Sequence, residues 1–435
     1  MSNTRTLDYP GGATDNSTMH RGAKAVVAGV MGHILEWYDF AVYGYLALHI
    51  AGNFFPSDDK TASLLASLAT FGIGFVARPA GGIFFGRIGD RYGRKVVLLW
   101  TLLMMGSATL LIGLVPTYDT IGRLAPILLV AARLAQGFSA GGETTAAAAF
   151  IVEWAPPKRR GLYGSFQQVG SAAGLLLGTL VVAGLSSTLS ASSMTSWGWR
   201  VPFLIGIVLA PIGFLIRSRV DETPVFRARP VDAHTVDARG EHFTMLTCKA
   251  FMFALFWCVG FYFFLSYMPT FAQRELKLPA STVYWISSLG SVVYMCAIPL
   301  FGHLSDRIGR KPVLMFSCGG FTFGLLPLFH SLASNPSPGF LLLVIAICAT
   351  FLAAYTGPAA ATLSEFFATH NRSSGMALGY SMSSVVFGGF TPFIATWLIA
   401  FFGTPMAPIY YVMLSAAVGG IFVVGMRETS HDDLE

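Results

Sequence analysis

The chain has 435 residues, 54% hydrophobic and only 11% charged, with a mean hydropathy of +0.61. Soluble domains carry about 25% charged residues, so this composition excludes a water-soluble fold and points to a lipid-facing surface. The net charge of +6 does not indicate a nucleic-acid partner, because the basic residues sit at the ends of apolar runs.

A membrane span needs about 20 mostly apolar residues, and twelve such stretches follow one another. They lie near 23–50, 62–88, 96–116, 123–154, 161–186 and 200–217, then 248–272, 281–304, 312–332, 338–366, 373–402 and 405–426. Residues 1–22 are polar and read as a disordered cytoplasmic tail with no cleavable leader. A polar linker, 218–247, divides two groups of six spans, 23–217 and 248–426, and 427–435 form a second tail. The predicted fold is all-α, a polytopic membrane protein with twelve transmembrane helices in two pseudo-symmetric six-helix bundles. If the N-terminus lies inside, inner segments hold 21 Lys and Arg and outer segments 5, which places both termini in the cytoplasm. The five cysteines (Cys248, Cys258, Cys296, Cys318, Cys348) are odd in number and lack metal-type spacing; they read as free buried thiols.

One eleven-residue string recurs 216 positions on with seven positions identical: Phe85-Gly86-Arg87-Ile88-Gly89-Asp90-Arg91-Tyr92-Gly93-Arg94-Lys95 and Phe301-Gly302-His303-Leu304-Ser305-Asp306-Arg307-Ile308-Gly309-Arg310-Lys311. Repeats at that distance mark two equivalent halves, as in secondary transporters. Gly86 permits close helix approach, Asp90 can cap a neighbouring helix end, and Arg94 with Lys95 needs acidic partners. Glu153 and Arg160 are seven apart at the end of span 4, and Glu365 and Arg372 repeat that spacing at the end of span 10. Gly86, Asp90, Arg91, Gly93, Arg94, Glu153, Arg160, Asp306, Arg307, Arg310, Glu365 and Arg372 therefore form a candidate inner ion-pair gate that closes in the outward-open state; the alternative is that they only set topology. Gly170, Gly174 and Gly178 in span 5, and Gly375, Gly379 and Ser383 in span 11, place small residues on one helix face for close packing.

Ionisable groups inside a span are functional candidates. The first half holds Glu36, Asp39, Arg78, Arg133 and Glu143, with His33 close by, and the second half holds almost nothing comparable. Glu36 and Asp39, three apart, share one flank of span 1; two acids in a low dielectric suit a reversible proton carrier, with permanent pairing to Arg78 and Arg133 as the alternative. Glu143 stands as gate or relay. Arg133 with Gln136 one turn on suits a carboxylate, and Arg78, Tyr43, Gln167 and Gln168 complete the candidate substrate site. The aromatic residues of span 1 (Trp37, Tyr38, Tyr43, Tyr45) read first as packing, with quaternary ammonium binding as a second reading, and those of span 7 (Phe261 to Phe264) read as packing.

The repeated string resembles the signature of the major facilitator superfamily. Gly32-His33-Ile34-Leu35-Glu36-Trp37-Tyr38-Asp39-Phe40, Phe75-Val76-Ala77-Arg78-Pro79, Gln136 to Glu143, Trp197 to Phe203 and Asp221-Glu222-Thr223-Pro224 are similar to its bacterial metabolite:proton symporter family. The resemblance implies a monomeric importer in the bacterial inner membrane. Its coupling ion would be the proton, its partners a small molecule and the bilayer, with no cofactor or metal. Members carry citrate, 2-oxoglutarate, shikimate, or proline and betaine. Arg133 and Ser165-Phe166-Gln167-Gln168 look more like the carboxylate carriers. Thr144 stands where proline/betaine carriers show Tyr, and the chain stops at Glu435 without their coiled coil. The expectation is a citrate-like carboxylate importer, with a proline/betaine or shikimate importer as the alternative and an exporter behind both. An enzyme is not expected: no Ser/His/Asp set, metal spacing or phosphate loop is present.

Overall fold

The computed structural model describes residues 33–92, 94–141, 157–206, 241–367 and 372–430, with single positions at 30, 151, 211 and 215. The regular elements among these residues are all helices. Helix α1 covers 33–45 and continues as Ala47–Phe54, past the expected end at 50. Helix α2 is Lys60–Val76 followed by Arg78–Tyr92. Its interruption at Ala77 falls beside Pro79, which has no N–H to give the Phe75 carbonyl. Then come α3 (Arg94–Leu114), α4 (Leu124–Ala140), α5 (Arg160–Thr188) and the start of α6 at 201–206.

In the second group, α7 runs through Glu241–Phe261, a π-turn at Tyr262–Tyr267, and Met268–Arg274. Helices α8 (Ala280–Ile308), α9 (Arg310–Ser334) and α10 (Pro338–Glu365) are continuous. Helix α11 has a second π-turn: Arg372–Ser383, Ser384–Gly389, Thr391–Phe402. Helix α12 is Ala407–Gly425. Among the described residues, eight helices are long and apolar enough to cross a membrane, and Leu99–Leu114 and Leu124–Ala140 are shorter apolar helices. This is the twelve-helix arrangement expected. The last residues of the expected linker, from Glu241, already belong to α7. Cys248 and Cys296 are exposed, against the expectation of buried thiols, because they lie on outward faces; Cys258, Cys318 and Cys348 are buried.

The small-residue stripes work as close-packing faces. A Cβ on Gly174 would stand 2.4 Å from the Ile34 carbonyl oxygen of α1, and one on Gly379 would stand 2.8 Å from the Thr247 carbonyl oxygen of α7. The two stripes thus make matching contacts, α5 on α1 and α11 on α7.

Both ends of the helix array are bridged between the two groups. At the end bearing the repeated string, α5 and α8 cross in backbone contact: a Cβ on Gly302 would lie 2.7 Å from the Gly161 carbonyl oxygen. At the opposite end, Tyr45 Oη donates to the Leu265 carbonyl and Tyr284 Oη to the Tyr45 carbonyl, both at 2.8 Å. Arg274 Nη2 donates to Thr61 Oγ1 at 2.6 Å. The arrangement is occluded, with the charged residues of α1, α2 and α4 enclosed between.

Candidate functional site

The site begins with a backbone contact. Helices α2 and α4 meet at glycines: a Cβ on Gly137 would sit 1.5 Å from the Gly74 carbonyl oxygen, and one on Gly141 2.0 Å from that of Arg78. No other residue fits there, and the approach brings Arg78 and Arg133 to neighbouring positions behind α1. Both guanidiniums lie over the Phe40 ring, at 4.7 Å and 4.9 Å from its centre. Arg78 also covers Phe75 at 4.3 Å, and Arg133 covers Tyr43 at 4.3 Å. Such ring faces stabilise a desolvated cation by about 2 kcal/mol or more.

Two polar chains then separate. In the first, Arg78 Nη2 donates to Glu36 Oε1 at 3.1 Å, with side-chain exposures of 2% and 0%. His33 Nδ1 stands 3.4 Å from Glu36 Oε2, and Trp37 Nε1 donates to His33 Nε2 at 3.0 Å. Because Nε2 accepts, a neutral His33 carries its proton on Nδ1, toward Glu36. In the second chain, Arg133 Nη1 donates to Gln136 Oε1 at 2.8 Å, and Gln136 Nε2 donates to Thr109 Oγ1 at 2.8 Å. Thr109 Oγ1 in turn donates to Asp39 Oδ2. Arg133 and Asp39 are therefore joined through an amide and a hydroxyl instead of by a direct ion pair. Asp39 also borders a small cleft with Tyr38, Met105, Gly106 and Gly206, and a Cβ on Gly206 would lie 3.2 Å from Asp39 Oδ1.

Of the expected substrate residues, Arg78, Arg133, Gln136 and Tyr43 meet here, and Tyr43 Oη donates to the Ser67 carbonyl at 3.2 Å. Gln167 and Gln168 are buried on α5, where Gln167 shares the face of Gly170 and Gly174 that packs on α1. Glu143 lies outside the described residues. Thr109 was not foreseen; a lone threonine in an apolar span gives no signal until its neighbour is known. Trp199 and Arg200, from one of the motifs, serve the opposite end: Arg200 Nη1 donates to the Gly113 and Val115 carbonyls at 2.8 Å each, closing the α3 terminus.

The second copy of the repeat forms a buried ion-pair cluster. Arg310 Nη1 contacts Asp306 Oδ1 at 2.8 Å and Nη2 contacts Glu365 Oε1 at 3.0 Å, all three buried. Asp306 reaches across to the other group, accepting from the Gly161 and Leu162 amides at 2.8 Å and 2.9 Å. Those amides are first-turn donors of α5, where an anion is favoured. Arg160 is buried at that helix start, while Arg307 is exposed and stands apart from the Arg310 lock. The lock has a further member past the expected end of span 12. Glu428 accepts from the Arg310 and Lys311 amides at 2.8 Å and 3.0 Å, and Thr429 Oγ1 donates to Glu365 Oε2 at 2.6 Å. Gly93 and Glu153 lie outside the described residues, as do the surroundings of Gly86 and the side chains of Asp90, Arg91, Arg94 and Arg372.

Twelve helices around an enclosed set of paired charges define a multi-pass membrane transporter. The chain belongs to the major facilitator superfamily: the family described as "Sugar (and other) transporter" matches residues 24–241, and "Major Facilitator Superfamily" matches 250–433. It is 37% identical over 426 residues to the proline/betaine transporter of Escherichia coli (strain K12), covering 95% of this chain and 85% of that relative. It is 36% identical over 427 residues to the glycine betaine/proline/ectoine/pipecolic acid transporter OusA of Dickeya dadantii (strain 3937), covering 95% and 84%. Among solved structures, the proton:xylose symporter XylE bound to 6-bromo-6-deoxy-D-glucose superimposes with a TM-score of 0.79 at 18% identity, covering 96% of this chain and 98% of that one. These relatives favour the proline/betaine alternative over the citrate-like expectation.

Proposed function

We propose that this protein is a proton-coupled importer of small zwitterionic solutes of the proline/betaine class, working by alternating access in a bacterial inner membrane with both termini cytoplasmic. The observation that carries the reading is charge balance. Among the described residues the enclosed cluster holds two guanidiniums, Arg78 and Arg133, and two carboxyl groups, Glu36 and Asp39. A zwitterion adds no net charge to such a cluster, whereas a tricarboxylate brings excess negative charge into a low dielectric. The relatives carrying proline and betaine support the same choice.

In this reading Arg133 receives the substrate carboxylate. Its Nη1 leaves Gln136 for the incoming oxygen, and Tyr43 and Phe40 keep the guanidinium in place. Gln136 and Thr109 transmit the change to Asp39, which holds or releases the transported proton. The Glu36–Arg78 pair stays closed and orients the ring wall, and Gln167, Gln168 and Glu143 are secondary members of the site. Asp306, Arg310 and Glu365 fasten the cytoplasmic end. The test is uptake into proteoliposomes under an imposed pH gradient, with citrate, 2-oxoglutarate, succinate, shikimate, proline and betaine. Proline and betaine are expected to accumulate and to alkalinise the medium; accumulation of citrate alone overturns the proposal. Arg133→Gln is expected to abolish uptake.

A further inference from the structure

The second half of the chain was expected to contribute only packing to the site, yet it carries hydroxyls without partners. Among the described residues of that half, seven buried hydroxyls lack a partner at hydrogen-bond geometry: Tyr262 Oη, Ser266 Oγ, Ser317 Oγ, Ser383 Oγ, Ser384 Oγ, Tyr411 Oη and Ser430 Oγ. Four of them, Tyr262, Ser266, Ser383 and Ser384, lie in, or one residue before, the π-turns of α7 and α11. In α8 and α10, by contrast, Ser287, Ser288, Ser291 and Ser364 each donate to the carbonyl four residues back. An unmet buried hydroxyl is destabilising, and a partner in another state of the working cycle would offset that cost. Single π-turns inside α-helices are themselves frequent at functional positions.

Two of the four converge. A Cβ on Gly388 would stand 2.7 Å from Tyr262 Cε2 and 3.2 Å from Ser384 Oγ, so both side chains close around one glycine of α11. The Tyr262 ring meets Phe75 edge to face at 5.2 Å, and Phe75 carries the Arg78 guanidinium at 4.3 Å. Trp37 of α1 lies 5.8 Å from the same ring. Tyr262 and Ser384 therefore form the neutral wall that the second half presents to the charged wall of the first.

The geometry points to Tyr262 Oη and Ser384 Oγ as an acceptor pair for the N–H groups of a substrate ammonium, a specificity element that rests on the zwitterion reading above. Hydroxyl lone pairs accept from the two N–H groups of a secondary ammonium such as that of proline. A quaternary ammonium has no N–H and is held by ring faces, here Trp37 and Tyr262. The pair thus separates amino acids from fully methylated betaines, as hydrogen-bonding sites separate substrates that differ by one donor.

The experiment measures KM for proline and for betaine with the full-length protein in proteoliposomes. Tyr262→Phe and Ser384→Ala are each expected to raise the proline KM about tenfold, the worth of one net hydrogen bond, and to leave the betaine KM unchanged. A parallel rise for both substrates shows a structural role and overturns the assignment, as does an unchanged proline KM. If Tyr262→Phe fails to reach the membrane, Ser384→Ala alone decides, with Ser384→Thr expected to restore the proline KM. Failure of the unmodified protein to transport either solute sinks the zwitterion reading, an outcome distinct from uptake of both without a split in the variants.

Discussion

At the scale of single residues, Glu36 and Asp39 look alike in sequence and are used differently. Glu36 is locked against Arg78 with both side chains buried, and removing one partner of such a pair leaves an uncompensated charge at a cost of about 3–5 kcal/mol. Glu36→Gln is therefore expected to lower the melting temperature in detergent sharply, and the double variant with Arg78→Gln to recover most of it; an unchanged melting curve for the single variant contradicts the pairing. Among the described residues, Asp39 meets neutral groups directly, Thr109 and the cleft at Gly206. Its amide can still accept from Thr109, so Asp39→Asn is expected to fold. It should lose pH-driven accumulation while retaining substrate counterflow, and loss of both activities would move the proton elsewhere.

At the scale of elements, closure of the string-bearing end depends on how near two helices come and on what caps them. A side chain at Gly302 collides with the α5 backbone. Gly302→Val is thus expected to hold the string-bearing end open and to make a cysteine placed at Ser165 react faster with a membrane-impermeant thiol reagent; an unchanged rate shows that α5 and α8 need not touch. The start of α9 is capped by Glu428. Burial raises its carboxyl pKa, but the amides of Arg310, Lys311 and Ser430 outweigh that and hold it below its ordinary value. A depressed carboxyl contributes stability that is present above the ordinary value and lost as pH falls through the lowered one. The Arg310 and Lys311 amides should therefore stay protected from hydrogen exchange above the ordinary carboxylate range and lose protection as the pH falls through the lowered value. Glu428→Gln should weaken protection and remove this pH dependence; a variant indistinguishable from the unmodified protein at every pH denies the cap.

At the scale of the whole molecule, sequence legibility followed from how local each signal is. Spans follow from local hydropathy, and the boundaries moved where a few residues decide: Pro79 breaks α2, and Glu241 starts α7 inside the linker. Arg78, Arg133, Glu36 and Asp39 stood out because charge in an apolar run is rare. Thr109, Tyr262 and Ser384 did not, since a hydroxyl is remarkable only once its neighbours, or their lack, are known. Likewise the Glu428 cap joins residues 118 apart that no periodicity connects. The same non-local contacts make the occluded state testable. Arg274 bonds Thr61 at one end while Asp306 bonds the α5 amides at the other, and alternating access requires each bridge to part in turn. A thiol cross-linker joining Thr61→Cys to Arg274→Cys, in a background with Cys248 and Cys296 replaced, is expected to stop uptake while thiol reagents still reach a cysteine at Ser165 from the string-bearing side. Cleaving the linker should restore uptake. Full uptake with the cross-link intact means that the end bearing Arg274 does not have to open, and the two-gate cycle falls.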